Sequence, residues 1–311
     1  MIIVFGSLNI DMIMPVGHFP KPGETVLCSA DYLSHPGGKG SNQAVAAARG
    51  GAKVAVVGKV GDDSFGRRSI NNLKNQSIWA SGIGISDQRP TGCATIAVDS
   101  SGANISIVAP GANLEATSDQ VPDEVFTSRN IVLAQLEVPS QETFSVLARA
   151  HAGGATTILN ASPAENMTRE GLKNIDYLII NEVEAHQLAC NLGITETDPR
   201  LIAKAITQME NLTCIITLES KGSVAVRGND TFVVRTLKIE PVDTTGAGDT
   251  FCGIFAACLQ AGYDWLKAMH YAGVGAALSC LGLGAQGGMP FLEDIEPHID
   301  KVPPPGPPKQ V

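Results

Sequence analysis

Residues 131–160 read IVLAQLEVPSQETFSVLARAHAGGATTILN. An apolar, β-branched run at 131–134 is followed, past Pro139, by a helix-like stretch at 140–150; beyond Gly153 and Gly154 comes a second apolar run at 156–159. Strand, helix and strand in that order suit parallel strands joined by a crossover helix. The same rhythm extends outward on both sides. Apolar runs recur at 2–5, 53–57, 177–180 and 213–218, with helix-like stretches at 41–49, 64–74, 182–191 and 199–209. The expected fold class is therefore α/β, a parallel sheet covered by helices on both faces. Two segments break the rhythm: 12–35 and 92–109 alternate apolar and polar residues between Gly and Pro, as strands of a small inserted sheet would, and such a sheet suits a lid. Residues 1–302 are expected to form one domain, and the proline-rich 303–311 an extended, mobile tail.

Composition narrows the function classes. With 311 residues, 44% hydrophobic and 17% charged, the chain can bury a sizeable core. A net charge of −9 argues against nucleic acid or an anionic membrane as the main partner. Seven cysteines, at 28, 93, 190, 214, 252, 258 and 280, show no CxxC pair or zinc spacing and read as buried thiols of a reducing, cytoplasmic setting. The start, MIIVFGSLN, reads as a strand reaching Gly6, not as a signal peptide. Tyr271 to Leu292 has the length of a membrane span without a formal charge, but its six glycines favour a buried helix ending in a glycine loop. Glycine is in surplus: 33 are present, against roughly 22 at the usual frequency.

The surplus clusters. In PVDTTGAGDTFCGIFAACLQAG (241–262) a polar turn, Thr244 to Gly248, opens a small-residue helix with Asp249 in its first turn. Gly246 and Gly248 let backbone N–H groups converge at a helix start, an anion hole beside a carboxylate. Such a pair suits phosphoryl transfer to an attacking hydroxyl whose proton the carboxylate accepts; an ordinary capped helix is the plainer alternative. In HPGGKGSNQAVAAARGG (35–51) three glycines, 37, 38 and 40, precede a helix with Lys39, Ser41, Asn42 and Gln43. Lys39 is followed by Gly40, so this is no Walker loop, and it suits a polyhydroxy ligand as well as a phosphate. After the first strand the chain reads GSLNIDMI (6–13) where a dinucleotide fold would place GxGxxG. Asn9 and Asp11 fall on one side of an extended segment and could hold a vicinal diol, or form a turn.

GSLNID, PGGKGSNQA, VGKVGDD (57–63), QLE (135–137), LNASPA (159–164), NEVE (181–184), TLESKG (217–222) and VDTTGAGDTF (242–251) together resemble, in order and spacing, the PfkB/ribokinase-like carbohydrate kinases. The resemblance implies a three-layer α/β/α, Rossmann-like sheet with an inserted β-sheet lid. It implies ATP-dependent phosphorylation of D-ribose at O5, with adenosine or another nucleoside, fructose, or silent sugar binding as alternatives. Asp249 would be the general base, with N–H groups of Gly246, Ala247 and Gly248 on the transferring phosphoryl group. Asn9, Asp11, Gly38, Lys39, Asn42 and Glu137 would hold the sugar; Asn181, Thr217, Glu219, Gly222 and Gly248 would contact ATP. Glu184 would act on Mg²⁺ through water, and K⁺ would lie on Asp243, Thr245, Ser279, Gly282 and Gly284. Gly288 departs from the pattern, standing where a hydroxyl-bearing residue is usual, and Gly273 stands where a flat or amide side chain often lines the adenine pocket. The resemblance also implies a homodimer formed through the lid.

Overall fold

A computed structural model describes residues 1–100, 103–165 and 167–306. The chain runs through β1 (Ile2–Phe5), β2 (Asn9–Pro15), β3 (Leu33–Gly37), α1 (Lys39–Arg49), β4 (Val54–Gly61), α2 (Ser64–Asn75) and β5 (Trp79–Ser86). It continues through β6 (Gly92–Val98), β7 (Asn104–Ala109), β8 (Ile131–Gln135), α3 (Ser140–Ala152), β9 (Thr156–Asn160), β10 (Tyr177–Asn181), α4 (Glu182–Leu192), α5 (Pro199–Met209) and β11 (Thr213–Thr217). Last come the hairpin β12 (Ser223–Arg227) and β13 (Asp230–Val234), then α6 (Ala247–Gln260), α7 (Trp265–Ser279) and the short α8 (Leu292–Ile295).

Nine strands form the main sheet in the order β13-β12-β11-β10-β9-β8-β1-β4-β5, parallel from β11 to β5. Alternation along β1 sorts the core: Ile2 and Val4 join a cluster with Ala44–Ala47 of α1, Phe251 and Phe255 of α6 and Ala268 of α7. Ile3 and Phe5 join the other, with Val146 and Leu147 of α3, Leu188 of α4, and Ile202 and Ile206 of α5. The sheet is thus buried on both faces, which is why its strands read as unbroken apolar runs. Each such side chain stabilises the fold by about 1.5–3 kcal/mol on burial, and Phe5, fully buried, would cost about 3–5 kcal/mol if cut to Ala.

The lid is a four-stranded sheet, β3-β2-β6-β7. It is mixed: β2 pairs antiparallel with β3 and parallel with β6. Only the ends of the expected 12–35 segment are strand; between Pro15 and Leu33 a single Val16–Cys28 bridge forms, because Gly17, Pro20, Pro22 and Gly23 interrupt any ladder. Since β2 begins four residues after β1 ends, the central strand and the lid are nearly one stretch of chain. The expectation of buried thiols fails in part. Cys28 and Cys190 are exposed and Cys93 is partly so, while Cys214, Cys252, Cys258 and Cys280 are buried as expected. Among the described residues no helix is long and apolar enough to cross a membrane; the uncharged stretch divides into the end of α7 and a glycine loop. Of the tail, Gly306 donates its N–H to the Val233 carbonyl at 3.2 Å, and 307–311 lie outside the described residues.

Candidate active site

The strand order reverses beside β1. Its neighbours are β4, which follows it in the chain, and β8, which follows much later. At such a switch point the loops leaving two adjacent strands diverge and open a crevice at their carboxyl ends. The loop after β1 delivers Ser7 and Asn9, and the loop after β8 delivers Glu137. Glu137 Oε2 accepts hydrogen bonds from Ser7 Oγ at 2.6 Å and from the Lys39 N–H at 3.1 Å, fixing the start of α1 over the crevice. That approach needs Gly40: a Cβ there would lie 2.7 Å from the Ser7 nitrogen and 2.8 Å from its carbonyl oxygen.

The buried Asn9 has its Oδ1 held by Asn113 Nδ2 at 2.8 Å, while Asn113 Oδ1 accepts from the Leu8 N–H at 2.9 Å. Its own amide nitrogen is therefore the group left to present. Asp11 follows on β2, an inner strand of the lid, half-buried and opposite His35 of β3 and Ala94 of β6. His35 lies in a strand and is exposed.

Across the crevice, α6 starts from Gly246, whose φ of 79° lies in the left-handed region. A Cβ there would also meet the Ala285 backbone at 2.8 Å, so both conformation and contact demand glycine. Gly248 differs: a Cβ on it would meet nothing within 4 Å, so space stands open over the first turn. Of the three expected anion-hole donors, Ala247 turns its N–H back to the Thr244 carbonyl at 3.2 Å, while those of Gly246 and Gly248 have no acceptor among the described residues.

Asp249 is buried in that first turn, and both its oxygens are held from α1: Oδ2 by Asn42 Nδ2 at 3.0 Å, Oδ1 by Gln43 Nε2 at 2.9 Å. Gln43 is in turn held by Gln135 Nε2 at 2.7 Å, and it donates to Asn160 Oδ1 at 2.9 Å. Burial pushes the Asp249 carboxyl up against the pull of Lys39, Gln43 and Asn42, with Glu137 adding to the rise. Burial, then Glu137 and Asp249, raise Asp11 to about 7 despite Lys39. Burial works to lower the Lys39 ammonium, but Asp249, Glu137 and Glu184 outweigh it and the net direction is upward. Four carboxyl groups, those of Asp11, Glu137, Glu184 and Asp249, thus share one cation.

The structure brings Asn42, Gln43 and Asp249 into direct contact and gathers Asn9, Asp11, Lys39 and Glu137 around the same crevice. Asn181 and Thr217 are register partners at the ends of β10 and β11, farther along the same edge of the sheet. Asn181 and Glu184 cap α4 reciprocally, Asn181 N–H to Glu184 Oε2 at 2.9 Å and Glu184 N–H to Asn181 Oδ1 at 2.8 Å. Glu219 and Gly222 flank the turn into β12, both with positive φ. Asp243 joins two loops, accepting from the Thr245 N–H at 2.9 Å and from the Gly284 N–H at 2.8 Å; burial pushes its carboxyl up, but the Thr245 hydroxyl and these two N–H groups outweigh it and hold it below the usual carboxylate range. Ser279 turns its hydroxyl to the Ala276 carbonyl at 2.8 Å, and a Cβ at Gly288 would strike the Ser279 carbonyl. Gly273 accepts from Thr236 Oγ1 at 2.8 Å and a Cβ on it would meet only Arg235 O, at 3.7 Å.

Sequence reasoning missed Ser7, Asn113, Gln135, Asn160 and Gln286 as parts of this network. Gln135 and Asn160 each end an apolar strand, and a lone amide closing such a run was the available signal; Asn113, in a short 3₁₀ turn (Gly111–Glu115), and Gln286, in a loop, carry none.

The profile of the pfkB family carbohydrate kinases matches residues 1–292. A ribokinase of Bacillus subtilis (strain 168) is 37% identical over 297 residues, covering 95% of this chain and 98% of the relative. The crystal structure of ribokinase from Thermotoga maritima superposes with a TM-score of 0.90 at 33% identity, over 96% of this chain and 99% of that one. Arabidopsis thaliana ribokinase complexed with ribose and ATP gives 0.86 at 28% identity, over 96% and 98%. With the family profile spanning residues 1–292 and a relative 37% identical over 95% of the chain, the chain belongs to the pfkB family of carbohydrate kinases.

Proposed function

We propose that this protein is a phosphotransferase that moves the γ-phosphoryl group of ATP to O5 of D-ribose, giving D-ribose 5-phosphate and ADP. The observation that carries this reading is a buried carboxylate, Asp249, in the first turn of α6, oriented by two amides of α1 beside N–H groups of Gly246 and Gly248 that no described residue accepts. In the reaction the sugar's O5 hydroxyl gives its proton to Asp249 as the O5–phosphorus bond forms and the bond to the β-phosphate oxygen breaks. A carboxyl raised toward the working pH suits that proton transfer. The anion-hole N–H groups stabilise charge on the transferring group without reorganising.

Asn9, Asp11, Gly38, Lys39, Asn42 and Glu137 hold the sugar in this reading, and Asn181, Thr217, Glu219, Gly222 and Gly248 contact ATP. Residues 1–302 act as one catalytic domain. Glu184 beside Asn181 offers carboxylate oxygen to Mg²⁺ through water, and the ion when bound neutralises phosphate charge. Asp243 with carbonyls of Thr245, Ser279, Gly282 and Gly284 is an oxygen-only donor set that fits K⁺ better than a softer metal; Gly288 adds no side-chain ligand. Among the described residues no group of three or more His, Cys, Asp or Glu competes for a metal. A cytoplasmic homodimer joined through the lid completes the proposal.

The test is ATP consumption with ribose, deoxyribose, fructose and adenosine, with and without K⁺, beside Asp249→Asn. Ribose is expected to be preferred and K⁺ to stimulate. A preference for adenosine would replace the sugar reading with a nucleoside kinase, and undiminished turnover of Asp249→Asn would remove the general base.

A further inference from the structure

One amide separates Asp249 from the glycine loop after α7. Asn42 donates Nδ2 to Asp249 Oδ2 at 3.0 Å and accepts at Oδ1 from Gln286 Nε2 at 2.9 Å. Gln286 Nε2 also donates to Ser41 Oγ at 3.0 Å, and its Oε1 accepts from Asn72 Nδ2 at 2.9 Å. The backbone of the same loop is clamped from α1, Arg49 donating to the Gln286 carbonyl at 2.8 Å and to the Met289 carbonyl at 2.6 Å.

The direction of every bond in this chain follows from its terminus. An ionised carboxylate can only accept, so the Asn42 nitrogen must face Asp249 and its oxygen must face away. That oxygen needs a donor, which fixes the Gln286 nitrogen toward it and the Gln286 oxygen toward Asn72. Once Asp249 carries a proton that constraint lapses, because Asn42 could then turn over and accept from the carboxyl O–H with its own oxygen. What holds it is the donor on its far side.

We propose that Gln286 is a positioning residue: from the glycine loop it fixes the Asn42 amide in the one orientation that donates to Asp249. The inference rests on the reading of Asp249 as the proton acceptor for its catalytic meaning, but not for its geometry. With Gln286 in place the carboxylate keeps two amide donors and the Asn42 nitrogen stays available at the sugar's side of the crevice. Without it, the Asn42 amide can turn over when Asp249 is protonated and accept from the carboxyl O–H, so the proton is held more tightly.

Two variants separate this role from general loop stability. Gln286→Leu removes the donor; Gln286→Glu keeps the shape and sets an acceptor against the Asn42 oxygen. The readout is titration of the Asp249 carboxyl by ¹³C NMR of labelled aspartate, its signal assigned by Asp249→Asn. Lys39, Glu137 and Asp11 face that carboxyl in every variant alike, so their contribution stays in place. Both variants are expected to titrate about half to one pH unit above the wild type, more in Gln286→Glu, with the acid limb of kcat moving by the same amount. In an Asn42→Ala background Gln286→Leu should add nothing. An unmoved Asp249 titration in a folded Gln286 variant, or a shift that persists without Asn42, overturns the proposal. A wild type inactive on ribose would instead sink the kinase reading, and the titration would still decide whether Gln286 orients Asn42.

Discussion

Asp11 and Asp249 show how one crevice shifts like groups the same way, upward by burial, while giving them different work. Burial first, then Glu137 and Asp249, bring Asp11 to about 7, against Lys39. A carboxyl whose folded pKa exceeds its unfolded value of 3.8 favours the native state while protonated. Its stabilising contribution is complete below the unfolded value and is lost as pH rises through about 7. Sugar binding runs the other way, because the ionised form accepts two hydroxyl hydrogen bonds where the protonated form accepts fewer. The sugar KM is therefore expected to fall as pH rises through about 7, and Asp11→Asn to flatten that profile; initial-rate KM measured across pH checks both. At Asp249 the expectation is a split of another kind. Asp249→Asn should lower kcat by about 10²–10⁴-fold while calorimetric Tm holds or rises, since the substitution removes a buried charge but can keep an acceptor for one amide donor. A Tm collapse in parallel with kcat would make the residue structural.

Among the elements, α6 concentrates the demands on backbone. Gly246→Ala forces a side chain into the left-handed region and against Ala285, and a loss of about 1–3 kcal/mol in urea unfolding is expected. Gly288→Ala meets the Ser279 carbonyl and should cost about 1–3 kcal/mol by the same measurement, whereas Gly248→Ala, with open space above it, should leave stability nearly unchanged and lower kcat. The elements were unevenly legible in the sequence. Strands β1, β8, β9, β10 and β11 and helices α1 to α5 stand out because a strand buried on both faces is an unbroken apolar run and an amphipathic helix repeats. Edge elements do not: β5 and β13, the outer strands of the main sheet, are only partly buried, so their patterns are diluted by Trp79 and Asp230. The lid loop reads as strand by composition yet is loop, since Pro and Gly outweigh alternation there. In the site, charged and glycine positions stand out along the chain, but Gln43, Gln135 and Gln286 matter through partners 92 to 245 residues away, a relation that only folding creates.

For the whole molecule, the lid leaves two edge strands, β3 and β7. β7 is an edge of the small sheet, paired on one side to β6 alone, and it exposes Ile105, Ile107 and Val108, with Ile107 68% accessible. An edge strand with unpaired backbone groups and apolar side chains on both faces invites pairing with another chain. The nearest candidate is a second copy, whose β7 carries the same sequence and would pair about a twofold axis. The charge balance of the body agrees, because a net charge of −9 disfavours contact between copies except where the surface is uncharged. Ile107→Lys places a cation on each side of such an interface, where like charges repel and neither is solvated. Sedimentation equilibrium at micromolar concentration should give a dimer for the wild type and a monomer for Ile107→Lys. Because β6 and β2 carry the lid's pairing down to Asn9 and Asp11, the monomer should also bind sugar more weakly, with a KM raised roughly tenfold, equivalent to about 1.4 kcal/mol, and a kcat changed far less. A wild type that sediments as a monomer would remove the interface; a monomeric Ile107→Lys with unaltered KM would keep it but detach it from the site.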